Sequence, residues 1–274
     1  MERAQSDNRP IGIFDSGVGG LTVAREIMRQ LPQEQLVYFG DTARLPYGNK
    51  SQDNIIRFSR QIIRFLKTQN VKAIVIACNT ASALALPTVA GEEKIPVLGV
   101  IAAGARAAIR ETRNQKIGVI GTEATIQSQT YGKAIRALCP QAEVTGVACP
   151  LFVPLVEEGF AEHAITEEVI DIYLNGMRQS RMDTLILGCT HYPLLRKKIA
   201  EYFGEGVHIV NPAYEAAMDL KAVLEKEGLC SRLGQKKAED LFYVSDAAEK
   251  FTKLASFILP YDVEKTKEIR IEEY

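Results

Sequence analysis

AIVIACNTAS, residues 73–82, decides how this chain is read. Ala73 to Ala77 form a short run without polar interruption, the pattern of a strand buried on both faces. The run stops at Cys78, and Asn79, Thr80 and Ser82 follow at once with small polar groups. A cysteine inside the run would be ordinary core filling. A cysteine just past it sits at a strand's carboxyl end, where open parallel sheets bind their ligands.

The same kind of run recurs along the chain. IGIF at 11–14 reads as a strand and is followed by a helical pattern from Leu21 to Gln30. LVYFG at 36–40 is the next strand. DNIIRFSRQIIRFLKTQ then places apolar residues at 55, 56, 62, 63, 65 and 66, one face of a helix. VLGV at 97–100, IGVIG at 117–121, VTGVA at 144–148 and TLILG at 184–188 continue the series, and helices at 213–227 and 247–258 flank a further strand, LFYVS. Strands alternating with helices predict an α/β protein with mostly parallel sheets.

Two segments pair with two later ones. IGIFDSGVGG begins at Ile11 and IGVIGTEATI at Ile117, an offset of 117 − 11 = 106. AIVIACNTAS carries Cys78 and TLILGCTHYP carries Cys189, an offset of 189 − 78 = 111. Two matches in one order at nearly one offset predict a duplication: two similar doubly wound domains related by a pseudo-two-fold, with an active site in the cleft between them. The first domain is expected to comprise 1–101 and 211–274 and the second 102–210. The C-terminal third has no counterpart in the duplication and is expected to return to the first domain.

The composition fits this picture. The 274 residues are enough for two domains, 46% are hydrophobic and 24% charged. A net charge of −1 argues against a dedicated nucleic-acid binder. No apolar run approaches the ~20 residues of a membrane span. The polar start, MERAQSDNRP, lacks the apolar core of a signal peptide, so a cytoplasmic protein is expected. Five cysteines, an odd number without a CxxC, predict reduced thiols rather than a disulfide framework.

Cys78 and Cys189 at matched strand ends suit proton removal and delivery on opposite faces of one carbon, because a thiol titrates near enough to neutrality to act as acid or base. Helix N-termini after them would favour the thiolate. Two buried core cysteines are the plainer alternative, which the repeated polar neighbours disfavour. Cys139, Cys149 and Cys230 lack such neighbours and read as structural. In DSGVGG, 15–20, glycines allow close backbone approach beside Asp15 and Ser16, and neither the P-loop nor the dinucleotide pattern is met. In DTARLPYGNKS, 41–51, Tyr47 and Gly48 shape either a pocket or a plain surface turn on Pro46 and Gly48.

Cys189-Thr190-His191 invites a zinc site, which needs three or four ligands. The remaining histidines, His163 and His208, are near no cysteine in sequence. His191 reads better as a proton-transfer or orienting group, or else as a hydrogen-bonded structural histidine. In PLFVPLVEEGF, 150–160, Glu157 or Glu158 either faces solvent or tunes a neighbour in the cleft. A pyridoxal enzyme needs a lysine in its pocket. Lys72 and Lys116 precede strands and belong at the opposite sheet edge, so chemistry without a cofactor is expected.

DSGVGG, GDTARLPYG, ACNTAS, PLFVPLVEEG and LGCTHYPLL, in this order, resemble the glutamate racemase family of the aspartate/glutamate racemase superfamily. The resemblance runs from Ile11 to about Val210 and weakens beyond. It implies an isomerase that needs neither metal nor pyridoxal phosphate, forms a homodimer and supplies D-glutamate for peptidoglycan. It implies Cys78 and Cys189 as the acid/base pair, with Asp15 assisting Cys78, and His191 and Glu157 assisting Cys189. The implied contacts to L- or D-glutamate are Asp15, Ser16, Tyr47, Gly48, Asn79, Thr80, Thr190 and His191, with Thr122 and Thr125 as further contacts. Asn211-Pro212 departs from the acidic-serine stretch more usual in the family. An aspartate racemase would by resemblance carry an acidic residue where His191 stands. A related decarboxylase would need one cysteine, and a binding module would leave the cysteine pair unexplained. Neither nucleic acid nor membrane is an expected partner, and the inhibition of DNA gyrase reported for some members has no mark in this sequence.

Overall fold

Parallel sheets covered on both faces need strands that are apolar throughout, and the runs at 11–14, 36–40, 73–76 and 184–188, buried at every position, meet that need. The computed structural model describes residues 7–231, 236 and 238–274; residues 1–6 of the polar N-terminal stretch lie outside them. The strands are β1 Ile11–Asp15, β2 Leu36–Gly40, β3 Ala73–Ile76, β4 Val97–Gly99, β5 Lys116–Gly121, β6 Glu143–Ala148, β7 Thr184–Gly188, β8 His208–Val210, β9 Leu241–Val244 and β10 Thr266–Glu268. The first sheet runs β10-β9-β2-β1-β3-β4 and the second β6-β5-β7-β8. Every pairing is parallel.

The duplication is visible in this order. β2-β1-β3-β4 of the first sheet corresponds strand for strand to β6-β5-β7-β8 of the second. The register agrees as well: Ile11 lies opposite Ala73, and Ile117 opposite Thr184. The expected α/β class with two similar, doubly wound parallel sheets is therefore what the chain adopts. β9 and β10 have no counterpart in the second sheet and extend the first, with Leu241 opposite Val37.

Alternation within each strand sorts side chains to opposite faces. In β3 and the residues after it, Ala73, Val75 and Ala77 enter one apolar cluster, while Ile74, Ile76 and Cys78 enter the other. Leu185, Leu187 and Cys189 share a face of the second sheet, with Ile186 on the opposite one.

The chain passes between the sheets twice, through helix Ile101–Glu111 after β4 and helix Pro212–Lys226 after β8. These helices touch: a methyl group placed on Gly104 would lie 3.0 Å from Pro212 Cγ. Arg110 bonds Glu215 at 2.6 Å, and Arg106 pairs with Asp219. Asn211, part of the departure from the family pattern, caps the second helix by accepting from Ala213 N at 3.1 Å.

At the amino end of β3 a charged pair is fully buried. Lys72 Nζ donates to Glu34 Oε2 at 2.6 Å and to the Asp7 carbonyl at 2.7 Å. The other oxygen of Glu34 accepts from Ser231 N at 2.8 Å.

Candidate active site

β1, β3 and β7 end near one another because a hydrogen bond joins the two sheets there. Asp15, the last residue of β1, is fully buried. Its Oδ1 accepts from the Thr190 hydroxyl at 3.2 Å, and its Oδ2 accepts from Gly17 N at 3.0 Å. The Thr22 hydroxyl adds a second link, 3.1 Å from the Thr190 carbonyl. Burial pushes the Asp15 carboxyl above its ordinary range, against the lowering influence of the His191 charge and of N–H donors from Gly17 and Gly20.

The glycines of DSGVGG serve close approach, and none of them has a left-handed backbone. A methyl group on Gly19 would lie 2.5 Å from His191 Nδ1, and one on Gly20 would lie 2.3 Å from Asp15 Cβ. The loop thus lies directly against the second sheet's histidine.

Cys78 occupies the N-cap of helix Asn79–Leu84, where its sulfur accepts from Ala81 N at 3.5 Å, with Ser16 Oγ at 3.9 Å. The expectation that a helix start would favour its thiolate needs correction. Burial, followed by the nearby Asp15 carboxylate, pushes this thiol up to about 12; the Ala81 N–H works in the other direction and is outweighed.

Cys189 follows β7 directly, and its sulfur lies 3.9 Å from His191 Nδ1. On the far side of the ring, Nε2 is 2.9 Å from Glu157 Oε1. Burial alone would lower the His191 pKa. Hydrogen bonds to Cys189 and Glu157 and the charges of Cys189 and Asp15 outweigh it and raise the value to about 10. Glu157 is displaced below its usual range, because the His191 hydrogen bond and charge overcome its burial. An imidazolium–carboxylate pair therefore stands behind Cys189 at neutral pH. Glu158 points elsewhere, to Lys250 at 2.9 Å on the surface.

The remaining predicted residues fall into two groups. Ser16 lies beside Cys78, Asn79 and Thr80 follow that cysteine in the chain, Thr190 follows Cys189, and Thr122 and Thr125 meet Thr80. Thr80 of the first sheet's side lies 2.9 Å from Thr122 Oγ1 and 3.1 Å from Thr125 Oγ1, and these two lie 3.0 Å apart, a triangle of hydroxyls across the cleft. Asn79 Oδ1 accepts from Tyr131 OH at 2.7 Å, again across the cleft. Tyr47 differs. Its ring is buried in the same core cluster as Cys78, and its hydroxyl is already engaged by Asp41. Gly48, its neighbour, lines the cleft mouth opposite Thr122.

Beside Cys189, Asn79, Thr190 and Asn211 surround a cavity of about 10 Å³, no larger than one water needs. The mouth is a hollow of about 450 Å³ lined by Leu45, Gly48, Thr122, Val153 and Glu157. A larger hollow of about 640 Å³ beside β9 and β10 includes none of these residues.

Sequence reasoning missed three residues that hold this arrangement. Asp41 is fully buried and gathers Arg44 Nε at 2.7 Å, the Ser245 hydroxyl at 2.9 Å and the Tyr47 hydroxyl. Its carboxylate beside Tyr47 in the quoted GDTARLPYG was the available signal. Tyr131 and Thr22 sit within helices and carried no signal. Among the described residues no group of three or more His, Cys, Asp or Glu is arranged to hold a metal ion.

A family model described as Asp/Glu/hydantoin racemase matches residues 11–220. A glutamate racemase of Geobacter metallireducens is 47% identical over 251 residues, which is 92% of this chain and 93% of that protein. The crystal structure of a glutamate racemase from Bacillus anthracis superposes with a TM-score of 0.92 at 41% identity, covering 96% of this chain and 98% of that one. That of the Francisella tularensis glutamate racemase in complex with D-glutamate gives 0.90 at 40% identity, covering 98% and 100%. The chain belongs to the Asp/Glu/hydantoin racemase family and, within it, to the glutamate racemases.

Proposed function

We propose that the chain interconverts L- and D-glutamate with two cysteines, Cys189 on one face of the α-carbon and Cys78 on the other. The observation that supports this reading is the Thr190–Asp15 bond, which joins the end of β7, at the residue after Cys189, to the end of β1, whose neighbour β3 runs into Cys78. In the L-to-D direction the Cys189 thiolate takes the α-proton, and the C–H electron pair stays on carbon. The Cys78 thiol then gives its proton to the opposite face, leaving Cys78 as thiolate and Cys189 as thiol. Proton exchange with solvent resets the pair, and the reverse direction exchanges the two roles.

The His191 imidazolium puts a positive charge beside the sulfur that is negative when it acts as base, and Glu157 holds that ring in place. Cys78, pushed up to about 12, carries a proton at neutral pH, the form a donor needs. Asp15 assists Cys78. An amino-acid α-proton is far less acidic than a thiol, and each ~1.36 kcal/mol of carbanion stabilisation is worth tenfold in rate. Ser16, Asn79, Thr80, Thr190 and the backbone at Tyr47-Gly48 are the donors that would supply it.

Glutamate is the substrate in this reading because His191 stands where aspartate racemases would carry an acid, and because the similar proteins are named glutamate racemases. The product serves peptidoglycan synthesis, the chain works in the cytoplasm as a homodimer, and neither metal nor pyridoxal phosphate takes part. Lys72 is held by Glu34 at the end of β3 away from Cys78, and both His191 nitrogens face Cys189 and Glu157. Two domains, 1–101 with 211–274 and 102–210, open to admit the substrate and close over it.

Incubating the pure protein with L-glutamate or L-aspartate and following ellipticity tests the reading. Ellipticity should vanish with glutamate alone, and persistence with both substrates would refute it. In deuterated water the first D-glutamate formed should carry deuterium at the α-carbon, while unreacted L-glutamate stays protonated. Cys78→Ala and Cys189→Ala should each abolish racemisation.

A further inference from the structure

Tyr131 belongs to no motif, yet it touches both halves of the site. It lies in helix Thr130–Leu138 on the second sheet's side and is 3% exposed, too little for a surface role. Its ring is wedged between two glycines. A methyl group on Gly104, in the helix that leads into the second sheet, would lie 3.2 Å from Tyr131 Cε1. One on Gly188, immediately before Cys189, would lie 3.2 Å from Cε2. The ring therefore packs directly against the strand end that delivers Cys189. Its hydroxyl crosses the cleft and donates to Asn79 Oδ1, immediately after Cys78, at 2.7 Å.

A primary amide has one acceptor and one double donor. With Oδ1 engaged by Tyr131, the NH₂ of Asn79 is the part left for a ligand, and Asn79 lines the small cavity with Cys189 and Thr190. Without the tyrosine hydroxyl Oδ1 loses this donor, and a flipped amide would present its oxygen to an anionic ligand.

The geometry points to Tyr131 as a positioning residue for the racemase reaction: it fixes the orientation of the Asn79 amide toward the substrate and spans the gap between the two cysteine-bearing strand ends. This rests on the reading of Asn79 as a substrate contact. Tyr131 acts through Asn79 and does not itself touch the reacting atoms. Losing one such buried hydrogen bond is worth about tenfold in binding.

A double-mutant cycle tests it, with Tyr131→Phe, Asn79→Ala and the double variant compared with the parent protein. Binding of D-glutamate by calorimetry needs no turnover and is measured beside KM and kcat. Phenylalanine keeps the wedged ring, so the thermal midpoint should hardly move. Tyr131→Phe should weaken D-glutamate binding and raise KM about tenfold, with kcat changed by less than about threefold. In the Asn79→Ala background the same substitution should have no further effect on binding, because the group it orients is gone. An equal loss in both backgrounds would assign Tyr131 a merely structural role and overturn the proposal, as would unaltered binding in Tyr131→Phe. If Asn79→Ala alone binds D-glutamate normally, the reading of Asn79 as a contact fails, and the proposal fails with it for that separate reason.

Discussion

Glu157 and Glu158 are neighbours in sequence and differ in their hydrogen-bond partners. Glu157 backs His191, while Glu158 meets Lys250 in solvent, where an ion pair contributes little. The raised His191 value, about 10 against an ordinary 6.5, means that the protonated ring stabilises the fold fully below 6.5 and that this contribution fades as pH climbs toward 10. The lowered Glu157 carboxyl contributes above its ordinary 4.5, and its share is lost as pH falls below that value. Glu157→Gln should therefore cost most stability between these limits and progressively less toward alkaline pH, as urea titrations across pH will read. In the same variant His191 loses its proton more readily. The alkaline limb of kcat/KM for L-glutamate should move to lower pH, with a loss of about tenfold for each unit of displacement on that limb. A pH–rate profile identical to that of the parent protein would exclude Glu157 from this role. The sequence singles out the two cysteines, Asp15 and His191 because each stands at the end of an apolar run, where polar residues are conspicuous. It could not choose between adjacent glutamates, since one step along a helix turns a side chain by about 100° and only the packed helix Phe152–Glu157 decides which faces the ring.

Among the elements, β3 has chemistry at both ends: the Lys72–Glu34 pair where it begins and Cys78 where it has just finished. The sequence places Lys72 only at the sheet edge opposite Cys78, and the structure buries it completely because Glu34 and the Asp7 carbonyl meet its charge. Removing one partner strands the other charge in the core. Lys72→Met should thus destabilise the protein by about 3–5 kcal/mol in chemical denaturation, and adding Glu34→Gln should recover much of the loss. Equal stability of Lys72→Met and the parent would show that the pair is not load carrying. Strand legibility follows the same physics. β1, β2, β3 and β7 are buried at every position and announced themselves as unbroken apolar runs. β10 is Thr-Lys-Glu at the sheet's edge, with two of three residues exposed, and no pattern marks such a strand.

At the scale of the whole molecule, the cavity beside Cys189 is far too small for an amino acid, so the proposed racemisation requires the two halves to part for ligand exchange. Gly48 lies so near the opposite side that a methyl group there would lie 2.6 Å from Thr122 Cβ. Gly48→Ala should leave folding intact, since the contact exists only between the two halves, and should act as a wedge. A misplacement of this size should lower kcat/KM about a hundredfold. Small-angle scattering with saturating D-glutamate should show the parent protein contracting and the variant remaining open. An alanine variant that turns over and contracts like the parent would show that the halves need not approach so closely.

The position of β9 beside β2 reaches further still. Leu241 lies opposite Val37, so this pairing spans 241 − 37 = 204 residues. Every strand of the second sheet, β5 to β8, lies between them in the chain. On the ribosome, the sheet begun first is therefore the one completed last. The second sheet can assemble from a continuous stretch of about a hundred residues while β2 still waits at an open edge. For that interval the nascent chain displays an apolar strand with unpaired backbone, the surface on which chaperones act and from which aggregation starts.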